Sequence, residues 1–173
     1  MMQMEGQLFN GYFDDLVLVD LKYENSEYGM LLAKSQSAST PLASMEQQIA
    51  DLSILTTLSK LEKGNVSLRL PKFKMDYQTE LSDLFTAESG LQAIFSTRAN
   101  FSGLADGINL NSIIHKASIE VTEQGTRASA GTAADFSWRA HQNLISFDTP
   151  FVFFVYHKCD GLVAFQGRFA TPP

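Results

Sequence analysis

The sequence contains one cysteine, Cys159. It has no partner within the chain, so the fold must hold by packing without an internal disulfide. It reads as a strand-end residue with no chemistry of its own. Positive charge is also scarce. Thirteen Lys and Arg stand against nineteen Asp and Glu, a net charge of −6 with no basic block. That argues against nucleic acid or an anionic membrane surface as the main partner, since both call for a basic face. Long hydrophobic runs are missing too. The longest, Phe151 to Tyr156, is far too short to cross a bilayer. The first residues, Met1 to Gly6, carry neither a basic region nor an apolar stretch of signal-peptide length.

Catalytic signatures are equally sparse. His115, His141 and His157 are scattered and show no metal-ligand spacing. There is no G-x-S-x-G elbow and no phosphate-binding glycine loop. Asp14 and Asp15 sit at an expected turn and read as solvated charge before they read as an acid–base pair. The expectation is a protein that is not an enzyme, with no cofactor and no metal.

What is present is an ordinary globular composition. Hydrophobic residues make up 45% and charged residues 18% of 173 positions. That is enough for one domain with a real core, and it excludes global disorder. Residues 12 to 33 read as two strands joined by the polar turn Tyr23-Glu24-Asn25-Ser26. Residues 35 to 44 read as a loop around Pro41. Ser44 is placed as a helix N-cap, with Gln47 at capping-box spacing. Ile49, Leu52, Leu55, Leu58 and Leu61 then recur at helical spacing up to Gly64, predicting one helix or two short ones with Gly64 as the stop. Val66 to Leu70 predicts a strand ended by Pro71, and Gln78 to Phe85 a short amphipathic helix. Residues 87 to 112 read as irregular, and Ile113 to Val121 as a strong strand. Further strands are expected at Leu144 to Phe147, Phe151 to Tyr156 and Leu162 to Phe169. The expected class is α+β, strand-rich with mixed sheets, as one domain over residues 1 to 173.

Two triplets, Asn65-Val66-Ser67 and Asn100-Phe101-Ser102, fit the glycosylation sequon. Such triplets recur by chance and lean only slightly toward secretion.

One stretch breaks the pattern. From Gly125 to Ala134 the chain is Gly, Ser, Thr and Ala with a single Arg and no apolar period. Its small side chains cannot anchor a loop by burial, but they would let it slip between two strands without clashing. From Glu123 to Arg139 the extended chain reaches about 50 Å, far beyond an ordinary strand. A flexible linker is the competing reading of such a composition. Strongly β-like flanks on both sides argue against it.

Several segments in order resemble the serpin family of protease inhibitors. His115-Lys116-Ala117-Ser118-Ile119-Glu120-Val121, followed by Glu123-Gln124-Gly125-Thr126-Arg127-Ala128-Ser129-Ala130, resembles the family's fifth strand of sheet A running into the hinge of the reactive loop. Phe147-Asp148-Thr149-Pro150-Phe151 resembles its F-x-x-P-F segment, and Leu70-Pro71-Lys72-Phe73 its L-P-K-F segment. Asn100-Phe101-Ser102-Gly103-Leu104 and Phe165-Gln166-Gly167-Arg168-Phe169 are similar to later family motifs. Met1, Met2 and Gly6, then Leu21 to Tyr23 and Met30 to Leu32, fit earlier strands of its B and C sheets.

The resemblance covers nearly the whole chain. It implies the C-terminal portion of the serpin fold, lacking its N-terminal half, with a reactive loop at about 123 to 143. Family spacing counted from Glu123 and back from Phe147 places the reactive bond at Arg139-Ala140, which implies a trypsin-like serine protease as partner. A shifted register would offer Phe136 or Trp138 to a chymotrypsin-like enzyme. Glu123, Gly125, Thr126, Arg127, Ala128, Ser129 and Ala130 would form the hinge, and His115 would match a family histidine that controls opening of the sheet. The resemblance implies secretion by default, with a cytoplasmic branch open. The alternative function is a non-inhibitory serpin-like binding protein or an inactive fragment.

Overall fold

The computed structural model describes residues 1–24, 26–50, 53–87, 91–122 and 143–172. The chain divides into two compact units, one from Met1–Lys72 with Val121–Pro173 and one from Phe73–Glu120.

The first unit is built on a seven-stranded sheet. Its strands are β1 (Met2–Phe13), β2 (Leu16–Lys22), β3 (Tyr28–Ser35), β4 (Glu62–Leu70), β7 (Asn143–Ser146), β8 (Phe151–His157) and β9 (Val163–Phe169), in the order β7-β4-β1-β2-β3-β8-β9. All neighbours are antiparallel except β4 and β7, so the sheet is mixed. The long strand β1 joins its two parts. Residues Met2 to Asn10 pair with β4, and Phe9 to Phe13 pair with β2.

β2 and β3 form where the sequence predicts two strands and pair antiparallel. Six consecutive residues of β2, Leu16 to Leu21, are buried, which is the mark of a strand covered on both faces. On one face Leu16, Leu18, Leu31, Ala33 and Val152 pack with Met45 and Ile49 of α1 (Leu42–Ala50). The partly buried Ile54 and Leu58 of α2 (Ile54–Ser59) close the same cluster. At about 25 cal/mol per Å² of apolar area, burial of this kind is the main stabilising term of the unit.

Three expectations about helices need correction. The first helix begins at Leu42, so Ser44 lies inside it and is not the cap. The carbonyl of Pro41 accepts the amides of Ser44 and Met45 at 3.0 and 3.3 Å, and proline's fixed φ suits it to a helix start. The leucine stripe resolves into two short helices that end at Ser59, well before Gly64. Gly64 sits within β4 opposite Leu8. Leu61 kept the helical spacing only because it turns into the same core.

The third correction falls in the second unit. Residues 78 to 80 finish β5 (Phe73–Glu80), and the helix α3 covers Ser82–Ala87. Tyr77 and Thr79 favour a strand. Among the described residues, 91 to 112 are irregular apart from the 3-10 turn Gln92–Phe95. β6 (Ile114–Val121) then pairs with β5 in a two-stranded sheet.

The Asp14-Asp15 turn exists, and Asp14 adopts a left-handed φ of 51°, a conformation that Asp tolerates better than most residues. Asp15 is more than solvated charge. Its carboxylate accepts the hydroxyls of Ser35 and Thr40, the latter at 2.8 Å. Those two bonds, Ser35 first, hold its pKa below the ordinary value.

Candidate reactive-loop site

The site is defined by what holds its two ends. On the upstream side, β6 runs from Ile114 to Val121, with Val121 buried. The Ser118 hydroxyl donates to Asp76 on β5 at 2.7 Å. The start of the strand is tied to α3. The Ile113 carbonyl accepts the Leu81 amide at 2.8 Å, and the Ile113 amide donates to Ser82 Oγ at 2.9 Å. His115 lies on this strand and is exposed. By the two-residue period of a strand it shares a face with Ala117, Ile119 and Val121. No other polar group is placed against it by the described contacts, so its part in controlling an opening stays a reading from resemblance.

On the downstream side, β7 pairs in parallel with β4, from Val66 opposite Asn143 to Arg69 opposite Ser146. The Phe147 amide continues this ladder to the Arg69 carbonyl at 2.8 Å. Lys34 Nζ donates to the Ser146 carbonyl at 2.6 Å, and Asn143 Nδ2 donates to the Tyr12 hydroxyl at 2.6 Å. Phe147 and Phe151 are both completely buried. Their rings meet edge to face, centroids 5.2 Å apart, and Phe151 stacks at a tilt on Phe169 at 5.3 Å. The F-x-x-P-F segment is therefore an aromatic clamp between the end of β7 and the start of β8.

The hinge residues Glu123, Gly125, Thr126, Arg127, Ala128, Ser129 and Ala130, and the reactive pair Arg139 and Ala140, lie outside the described residues. So do Phe136, Trp138 and all but the last position of the loop at 123 to 143.

At the far end of β8 a polar network escaped the sequence reading. The Tyr156 hydroxyl donates to Asp20 Oδ1 at 2.6 Å, and both residues are buried. Burial raises the pKa of Asp20, opposed by this hydrogen bond and by Lys22 and Lys158. Burial, with Asp20 as neighbour, also pushes the Tyr156 phenol well up. The two residues are 136 positions apart, and no local motif announces their pairing.

Comparison with known proteins decides the family. The profile of the serpins, serine protease inhibitors, matches residues 1–172. The chain belongs to the serpin family. It is 34% identical over 185 residues to human leukocyte elastase inhibitor, a match that covers 99% of this chain and 48% of that protein. It is 31% identical over 177 residues to Serpin B10 of Rhinolophus ferrumequinum, covering 99% of this chain and 44% of the relative. The chain thus spans a little under half the length of the curated relatives it matches. Among solved structures, native protease nexin-1 with heparin aligns with a TM-score of 0.76 at 27% identity, over 98% of this chain and 46% of that one. A serpin from the trematode Schistosoma haematobium shares the fold at a TM-score of 0.82 and 19% identity, over 99% of this chain and 46% of that one. The strand-rich, mixed-sheet portion of the serpin fold expected from the sequence is what the chain forms. The extracellular placement implied by resemblance finds no support in these matches. Among the described residues no helix is long and apolar enough to cross a membrane.

Proposed function

We propose that this chain is the loop-bearing half of a serine-type endopeptidase inhibitor that presents Arg139-Ala140 to a trypsin-like protease and traps it by loop insertion. The observation that carries this reading is the pair of anchors. A strand ending at Val121 and a strand beginning at Asn143 bracket a segment of small side chains in a member of the serpin family.

In the reaction, the protease serine Oγ attacks the Arg139 carbonyl carbon. The bond to the Ala140 nitrogen breaks, and Ala140 leaves as a free amine that takes up the proton. Arg139 remains as an ester on the protease. The freed loop then enters the sheet beside β6, the kind of strand insertion by which serpins act. Gly125 gives the backbone freedom for the bend. Thr126, Ala128 and Ala130 would share the buried face, and Arg127 and Ser129 the solvent face. Ser129 and Gly131 depart from the family's alanine-rich hinge but remain small.

Relatives differ in target by name: one inhibits leukocyte elastase, another plasminogen activator. The trypsin-like assignment therefore rests on Arg139 itself, because trypsin-like proteases carry an Asp at the base of the specificity pocket. A family-length chain bearing these residues, cut after Arg139, should melt at a higher temperature than the uncut protein, because insertion adds a strand. Cleavage without that gain would favour the non-inhibitory reading.

A further inference from the structure

The turn between β8 and β9 and the turn between β2 and β3 meet at one end of the seven-stranded sheet. The Lys158 amide donates to the Glu27 carbonyl at 2.8 Å. Lys158 Nζ donates to the carbonyls of Tyr23 and Ser26 at 2.8 and 2.6 Å. His157 sits between the two turns. Its Nδ1 lies 2.7 Å from Asp160 Oδ1 on its own turn, and its Nε2 lies 3.7 Å from Glu27 Oε2 on the other. The Tyr28 ring packs against the imidazole, centroids 5.4 Å apart. Asp160 Oδ1 also accepts the Leu162 amide at 3.0 Å, and the His157 amide donates to the Leu162 carbonyl at 2.8 Å. One imidazole therefore faces a carboxylate on each turn.

We propose that His157 is a pH-sensitive clasp that locks the β2–β3 and β8–β9 turns together when its ring carries both protons.

Only the imidazolium is charged, so only that form both hydrogen-bonds Asp160 and pairs electrostatically with Glu27 across the 3.7 Å gap. The titratable and charged groups recorded against the ring are Glu27 and Tyr28 from the β2–β3 side and Asp160 from its own turn. The Lys158 ammonium is committed to two carbonyls and adds a tie that does not depend on the histidine. The hydrogen bond to Asp160, then the charges of Asp160 and Glu27, raise the His157 pKa above its ordinary value. The contribution of a raised histidine is fully present below its unfolded value of about 6.5 and is lost as pH rises through the folded value. Asp160 runs the other way. The Leu162 amide and His157 lower its pKa, so its contribution is lost only as pH falls through that lowered value. The histidine's share of the tie is therefore present below its folded pKa and lost above it, while the Lys158 bonds remain.

Nuclear magnetic resonance of a family-length protein bearing these residues tests this. The His157 ring protons should titrate with a midpoint above 6.5, and the backbone amides of Glu27, Tyr28 and Leu162 should shift with the same midpoint. In His157→Gln that response of both turns should vanish. Amides of the β2–β3 turn that ignore the histidine titration, or that still respond in His157→Gln, would overturn the clasp. Should His157→Gln fail to fold, Glu27→Gln removes a carboxylate that is 81% exposed and leaves the core alone. It should lower the His157 midpoint, and an unchanged midpoint would equally overturn the proposal.

Discussion

At the scale of single residues, the features that matter most are polar atoms with one acceptable partner. Asp20 is 3% exposed and has its carboxylate matched to the Tyr156 hydroxyl. Tyr156→Phe leaves that carboxylate buried and short of its donor, which should cost about 1–3 kcal/mol at neutral pH. Because burial already raises the Asp20 pKa, and losing the hydroxyl raises it further, the penalty belongs to the ionised form. It should shrink as pH falls and Asp20 takes up a proton. Urea unfolding at pH 7 and pH 4 checks both the size and the direction. In the hinge the same logic applies to function. Thr126→Arg would require an unpaired charge to enter the sheet, at a cost of several kcal/mol. In a family-length chain this variant should still be cut after Arg139 but should form little covalent complex, as a gel-shift comparison with the parent would show.

At the scale of elements, packing is demanding where the last two strands meet. Gly167 of β9 is paired with Phe153 of β8, and a methyl group added at Gly167 would overlap the Phe153 ring. Phe153 is 2% exposed and has no room to turn aside. Gly167→Ala should therefore destabilise the chain by about 1–3 kcal/mol, readable as a lower midpoint in thermal unfolding. The strands themselves were legible in the sequence, because the short apolar and aromatic runs of β2, β3, β8 and β9 and the break at Pro71 are local signals. The helix boundaries were less so. The Ser44 and Gln47 spacing mimicked a cap, and Leu61 prolonged a helical stripe that the chain had already left. β1 was legible only through resemblance. Its sequence, with Gly6 and Gly11 inside, gives weak local alternation, and it is held by pairing with two different strands. The anchors of the loop were visible as motifs. The links that fix the downstream anchor, such as Lys34 to Ser146 across 112 positions, were not, because nothing local encodes them. The His157 cluster was hidden likewise, since Glu27 reaches it only through the fold.

At the scale of the whole molecule, trapping needs more than a cleavable bond. The inserted loop requires a strand on each side, and among the described residues β6 is paired with β5 alone. The chain also spans less than half of relatives such as human leukocyte elastase inhibitor. Residues 1 to 173 by themselves should therefore be cut by trypsin as a substrate, with no covalent complex surviving denaturation. Strand edges left without partners are sites of association, so the isolated chain should also aggregate at concentrations that a family-length protein tolerates, which light scattering would register.

The central claim is that Arg139-Ala140 is the bond through which a family-length form of this protein captures a trypsin-like protease. Intact-mass spectrometry of that protein after brief incubation with trypsin tests it most directly. The account predicts a denaturation-resistant adduct whose mass is trypsin plus inhibitor minus the C-terminal peptide that begins at Ala140, with that peptide released on denaturation. Free cleavage products with no adduct, or an adduct lacking a peptide that begins anywhere but Ala140, would contradict it.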